Sequence, residues 1–361
     1  MKRKLLYLIL SGVASIGFKL SEVKAQQDPY MTHYMFNRAL YNPAVAGAKD
    51  LFCVSVLSHF QYVGYEDRTP EFWPKDASNP LPKGDVVKNV GPKTQGFTFT
   101  APVTQYGGFG IGFMNDRLGY ERSTHIKLNL AGRYPLASGA TVSAGVDINF
   151  LQKGLDGAQL KPLVNGDPKI PTGNVNDMHP VFGAGAYYID PMLNSLNTRD
   201  LWVSASVLGL NKPNYVFQTG TTDIAFSTPT SHIYLMGGIT MLNFMGDSRN
   251  EFLPSAMIKM NRGIVQADLT AMVRRDGKLW GGLAYRTTSD ALSILLGYSG
   301  FNGSLSGLRV GYSYDLTLSR ILNVSSGSHE LQLNYCFKVV IPPPTEIIII
   351  TPPYMHRKSN Y

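Results

Sequence analysis

The chain has 361 residues, 44% of them hydrophobic and only 16% charged, with 36 glycines, 20 tyrosines and two cysteines. About 25% of an average soluble domain is charged, so the composition lies well below the soluble norm. The apolar content excludes intrinsic disorder. So few cysteines in so long a chain exclude a disulfide scaffold. A helical membrane protein would need spans of roughly 20 apolar residues, and the only run approaching that length is at the N-terminus. A large β-rich chain remains.

Residues 1–25 read as a secretory signal. Lys2, Arg3 and Lys4 open it, Leu5 to Phe18 supply the apolar stretch, and Val23 and Ala25 place small residues ahead of a cleavage before Gln26. Cleavage removes five cations and one anion, taking the formal net charge from +8 to +4. That mild balance, with no clustered basic face, excludes nucleic acid as a partner. Residues 26–50 follow as an expected N-terminal periplasmic segment.

From residue 51 to 338 the chain alternates with period two. Val142, Ala144, Val146, Ile148 and Phe150 alternate with Ser143, Gly145, Asp147 and Asn149, and Leu331, Leu333, Tyr335 and Phe337 with Gln332, Asn334 and Cys336. Ile126, Leu128 and Leu130 alternate with Lys127 and Asn129. Transmembrane strands show this pattern over about 10 residues, apolar outward. A soluble sandwich also alternates, but here the second face holds Gly, Ser, Asn and Tyr rather than Lys and Glu. Strand segments are expected near 51–63, 93–102, 107–117, 119–135, 138–153, 179–190, 199–210, 230–245, 249–260, 263–275, 277–288, 290–301, 307–318 and 328–338. The longest connections (64–92, 154–178, 211–229 and 319–327) are all odd-numbered. That is the asymmetry of short periplasmic turns and long external loops. The expected fold is an all-β transmembrane antiparallel β-barrel of about 14 strands with periplasmic termini.

Catalytic motifs are sparse. The run Gly107 to Gly112 resembles a phosphate loop, but no helix follows it. Crowding on the inner face, or a strand bend, accounts for these glycines better. The seven histidines form no HExxH, and no G-x-S-x-G elbow is present. Metal-ligand spacing is absent and no cofactor is expected. Ser231-His232 and Ser328-His329 raise the idea of a barrel hydrolase, yet neighbours in a strand point to opposite faces.

Cys53 and Cys336 are expected near the periplasmic ends of the first and last strands, which are neighbours in a closed barrel. By alternation both face the lumen. A disulfide across the seam is geometrically conceivable, and two unpaired thiols are the alternative. The tail at 339–361 carries Pro342 to Pro344 and Ile347 to Ile350. Such a segment packs into the barrel mouth, adds as a strand to a partner, or does neither.

Just behind the signal lie Gln27-Asp28-Pro29, Tyr34-Met35-Phe36-Asn37 and Tyr41-Asn42-Pro43-Ala44-Val45-Ala46-Gly47. Later come Gly281 to Arg286, Gly311 to Asp315 and Ser326 to Leu331. Together these stretches resemble the PorP/SprF family of Bacteroidetes outer-membrane proteins. The long Pro-rich first loop and the Ile/Pro tail depart from that pattern. The resemblance implies a non-enzymatic barrel tied to the type IX secretion system. Its implied partners are a secreted surface adhesin, including gliding adhesins, type IX components, or a peptidoglycan-associated periplasmic protein. On the residues alone, Asn42-Pro43 favours a turn and Gly47 permits positive φ. Tyr34, Phe36, Asn37, Tyr41, Asn42, Pro43 and Gly47 are expected to form a plug under the barrel mouth or a docking surface. A passive porin is the alternative function, since an even-stranded barrel with a polar lumen permits a pore.

Overall fold

The computed structural model describes residues 29–68, 86–88, 90–160, 167, 170–171, 173–192, 197–218, 223–227, 230–261, 263–287, 291–318 and 320–339. The expected signal and nearly all of the tail lie outside these residues. The strands in chain order are β1 (Phe52–Phe60), β2 (Glu66–Arg68), β3 (Val86–Lys88), β4 (Lys93–Thr104), β5 (Gly107–Leu118), β6 (Glu121–Pro135), β7 (Thr141–Asp156), β8 (Asn174–Asp190) and β9 (Thr198–Leu208). They continue with β10 (Tyr215–Gln218), β11 (Asp223–Ser227), β12 (His232–Met241), β13 (Asn250–Asn261), β14 (Ile264–Arg275), β15 (Leu279–Arg286), β16 (Ala291–Tyr298), β17 (Leu308–Thr317) and β18 (Ser328–Phe337).

Every strand except β2, β3, β10 and β11 joins one closed antiparallel barrel, in which β1 pairs with both β4 and β18. All fourteen expected segments are barrel strands. Two details differ from the sequence expectation. Strand β8 begins at Asn174, because β7 and β8 stay paired beyond the membrane-spanning stretch as far as Asp156 and Asn174. The first and seventh connections also carry hairpins of their own, β2–β3 and β10–β11.

Period-two alternation decides the wall. On the outer face of β6 and β7, Ile126 faces Phe150, Leu128 faces Ile148 and Leu130 faces Val146. On the inner face of the same pair, Lys127 faces Asn149 and Asn129 faces Asp147. The outer residues are exposed and the inner ones buried. Hydrocarbon around the wall therefore inverts the soluble rule of apolar inside, polar outside.

The strand ends carrying Phe52 and Phe337 meet at the short-turn end, which is the periplasmic end. Irregularities interrupt the ladder between β4 and β5 at Pro102 and Thr104, between β9 and β12 at Gly238 and Thr240, and between β12 and β13. Between β12 and β13, pairing runs to Gly238 and Ser255 and resumes at Met241 and Phe252. Pro254 lies in this gap, where its missing N–H leaves no ladder bond unmade.

Inside the barrel lies a core. Met31, Tyr34, Met35, Leu40, Tyr41 and Ala44 pack against inward side chains of the wall, among them Met114, Trp202, Tyr234, Met257, Met272 and Trp280. The flexible thioethers fill irregular gaps between an aperiodic segment and a regular wall.

Candidate functional site

The segment from Pro29 to Leu51 threads the lumen from the outer half of the barrel down to the periplasmic mouth. Its end does not hang below the barrel as a periplasmic segment. Its peptide groups and polar side chains find partners on the inner wall, so it is drawn inside. It is built from short turns. Asn42 caps the 3-10 turn Pro43–Val45, its Oδ1 accepting from the Ala44 N–H at 2.9 Å. Gly47 has φ +68, a conformation that favours glycine.

All seven signature residues lie in this plug. Tyr34, Asn37, Tyr41, Asn42, Pro43 and Gly47 are buried, and Phe36 is half-buried. The Tyr34 hydroxyl donates to Ser255 Oγ at 3.2 Å. Thr98 donates to Asn37 Oδ1 at 2.8 Å. Asn42 Nδ2 reaches Ser204 Oγ at 2.7 Å and the carbonyl of Ala186 at 2.8 Å. Wall side chains also satisfy the plug's backbone carbonyls. Lys127 donates to Leu40 O at 2.7 Å, Ser206 to Tyr41 O at 2.6 Å and Arg133 to Gly47 O at 2.6 Å. The Phe36 ring lies 5.1 Å from that of Trp280.

The lower plug fits because the wall opposite it is glycine. A Cβ on Gly145 would come within 2.6 Å of Ala44 N, and one on Gly108 within 2.6 Å of both Ala46 O and Gly47 Cα. A Cβ on Gly185 would meet Asn42 Oδ1 at 2.1 Å. Gly108 belongs to the run that resembles a phosphate loop; it admits the plug.

In the outer half an ionic network holds the plug's first residues. Thr32 N donates to Glu330 Oε2 at 2.9 Å and His33 N to Glu330 Oε1 at 2.8 Å. His33 Nδ1 lies 2.6 Å from Glu330 Oε1. A carboxylate only accepts, so Nδ1 carries the proton. Thr32 Oγ1 lies 3.1 and 3.0 Å from the two Asp315 oxygens. Tyr30 O accepts from His59 Nδ1 at 2.7 Å. Arg286 pairs with Asp268 at 3.2 Å, and its guanidinium sits 4.9 Å from the Tyr30 ring centre. His33, His59, Asp268, Arg286, Asp315 and Glu330 are all buried.

This network draws on β1, β14, β15, β17 and β18. Its Arg286, Asp315 and Glu330 come from the three later signature stretches, which are far apart in sequence and converge on the plug. Tyr30, Thr32, His33 and His59 had no motif to mark them. The available signal was charge at inward positions of apolar strands, since such charges must find partners inside.

Cys53 and Cys336 are direct register partners, their Cα atoms 4.1 Å apart and their sulfurs joined as a disulfide. They line the periplasmic mouth beside Gly47 and Ala48. The Ser-His pairs are divided by the wall or engaged elsewhere. Ser328 is buried and accepts from Tyr62 N at 3.1 Å, whereas His329 bonds the Tyr312 hydroxyl at 2.7 Å on the other face. Ser231 donates to Gly209 O at 2.8 Å, and His232 Nε2 lies 2.6 Å from Asn261 Nδ2.

A family model described as the type IX secretion system membrane protein PorP/SprF matches residues 23–335. The chain belongs to the PorP/SprF family. No curated protein matches it. Among solved structures it is similar to the Ralstonia pickettii toluene transporter TbuX, at TM-score 0.46 and 12% identity over 84% of this chain and 94% of that one. A Pseudomonas aeruginosa FadL homologue aligns at TM-score 0.42 and 12% identity, over 84% and 94% of the two chains. The translocator domain of the Neisseria meningitidis autotransporter NalP aligns at TM-score 0.38 and 10% identity, over 85% and 96%. These likenesses reach no further than the barrel fold. This PorP/SprF chain is thus an outer-membrane barrel of the type IX secretion system, and secretion components are its implied partners.

Proposed function

We propose that this barrel is a plugged, non-enzymatic binding platform that helps export or anchors a secreted surface protein, such as a gliding-related adhesin, or links to peptidoglycan-associated periplasmic machinery. The packed lumen supports this reading best. A segment fastened by Glu330, Asp315 and His59 above, and seated on Gly108, Gly145 and Gly185 below, occupies the path that a diffusing solute would take. In this reading Tyr34, Phe36, Asn37, Tyr41, Asn42, Pro43 and Gly47 hold the plug, and partners meet the loops or the mouth. The Cys53–Cys336 bridge ties the barrel seam beside the plug's exit.

The test is a detergent-solubilised pull-down of the tagged protein from its own outer membrane, read by mass spectrometry. A very large secreted protein in near-equal amount supports an anchor, and periplasmic lipoproteins or ring components support a core secretion part. Recovery of neither, together with large steady conductance steps in lipid bilayers, overturns the platform in favour of a passive porin. The platform predicts electrical silence.

A further inference from the structure

We propose that the periplasmic mouth is a binding site for an extended acidic peptide segment of a protein partner, held by Arg38, Lys49 and Arg309. The inference rests on the platform reading and names where and by what chemistry a partner docks.

Arg38 and Lys49 come from the plug and Arg309 from the start of β17. The Arg38 guanidinium lies 4.3 Å from the Trp202 ring centre, and one of its nitrogens donates to the Tyr187 hydroxyl. The Arg309 guanidinium lies 4.4 Å from the Phe36 ring centre. Among the described residues, none of the three cations makes an ion pair with a carboxylate within 4.0 Å. The nearby acids also meet other arginines. Glu251 takes both Arg199 and Arg274, and Asp200 lies 3.7 Å from Arg199. The mouth therefore gathers an excess of positive charge, with Asp200 the acid that acts on Lys49 and Arg309. Like charges so gathered repel one another, and an added anion relieves that repulsion. Lys49 reflects this: the charge of Arg38, above all, pushes its amine down to about 7.

The shape favours a peptide over a small anion. The cations stand between two hollows of about 80 and 90 Å³, both bordered by Phe36, Arg38, Lys49 and Arg309. One hollow adds neutral hydrogen-bonding groups, including Thr98 and Asn334, and the other adds Asp200 and Arg274 beside apolar Met35 and Leu253. A single phosphate fills one hollow. An extended chain lays carboxylates on the cations and places its other side chains to either side. Lipid headgroups do not reach the site, which faces the lumen.

The experiment uses the full-length protein, processed as in its own membrane and held in detergent. The probe is a fluorescein-labelled peptide of alternating glutamate and leucine, followed by anisotropy. The expected result is saturable binding that Arg309→Gln and Lys49→Gln each weaken about tenfold, that added salt weakens, and that a lysine–leucine peptide does not reproduce. Lys49 is exposed at the mouth, so Lys49→Gln keeps the folded barrel's gel mobility before heating. Equal binding by wild type and both variants overturns the proposal. So does inorganic phosphate that displaces the peptide at equal concentration, which marks a free-anion site. If the pull-down recovers a partner equally well with both variants, the platform stands and this site falls.

Discussion

Glu330 shows how one side chain settles the plug. It accepts from two consecutive backbone N–H groups and from the His33 ring, within a few residues of the outer rim. Glu330→Ala leaves those donors buried without their acceptor, a loss of about 3–5 kcal/mol for a broken buried charged network. The expected outcome is a lower thermal midpoint together with conductance steps in a barrel that is otherwise silent. Glu330→Gln keeps an acceptor and costs less. Lys49 gives a pH dependence at the other end of the plug. Its folded value near 7 lies below its ordinary 10.5, so the unfolded chain binds the extra proton between those pH values. Stability contributed at this residue is least below pH 7 and rises toward pH 10.5. Isotope-labelled methylation of Lys49, followed by NMR, should show a midpoint near 7 that moves up in Arg38→Gln. Arg286, Asp315 and Glu330 stand in stretches that were visible as signatures. Their common destination was not visible, because period two tells which face a side chain takes and not what waits there.

At the scale of elements, the plug and the inner wall are complementary surfaces. Gly145→Val drives a side chain into Ala44 and Pro43, where even a Cβ is too close. Overpacking of this kind costs about 1–3 kcal/mol, read as a lower unfolding midpoint and as protease access to the plug. Gly132→Ala is the matched control, since a Cβ there meets nothing within 4 Å. The seam between β1 and β18 makes a second case. Its bridge joins residues separated by 283 positions, so it restrains the unfolded chain strongly. Cys53→Ser with Cys336→Ser should lower stability by about 3–5 kcal/mol, measured against the wild type under oxidising conditions. Reductant should shift wild type toward the double variant and leave the variant unchanged. Strand identity and the seam neighbours were legible because alternation and chain ends set them. The β2–β3 and β10–β11 hairpins were not, because they are short and lie inside loops marked chiefly by proline and charge.

For the molecule as a whole, lipid outside and a packed segment inside reverse the usual layering. The outer wall meets hydrocarbon through residues such as Leu130 and Val146, which face each other across β6 and β7 and are more than half exposed. Val146→Arg should cost about 2–4 kcal/mol if that pair lies near the bilayer midplane, seen as loss of the folded gel species after assembly in vesicles. The lumen is filled by polar wall groups, methionines and the plug. This is why a polar inner face alone, which permits a pore, did not distinguish a channel from a plugged barrel.

The amino-acid sequence by itself determined the barrel. Each strand's alternation, the odd placement of long loops and the even strand number are local or counting properties, and lipid reads them directly through burial. It also marked residues 34–47 as set apart, through turn chemistry at Asn42-Pro43 and Gly47. Only the tertiary structure decided that this segment runs inside the wall. It also brought Arg286, Asp315 and Glu330 to the same few residues of the plug, and left Arg38, Lys49 and Arg309 together at the mouth. These are contacts between residues hundreds of positions apart, and they depend on barrel closure and register, which no local pattern encodes.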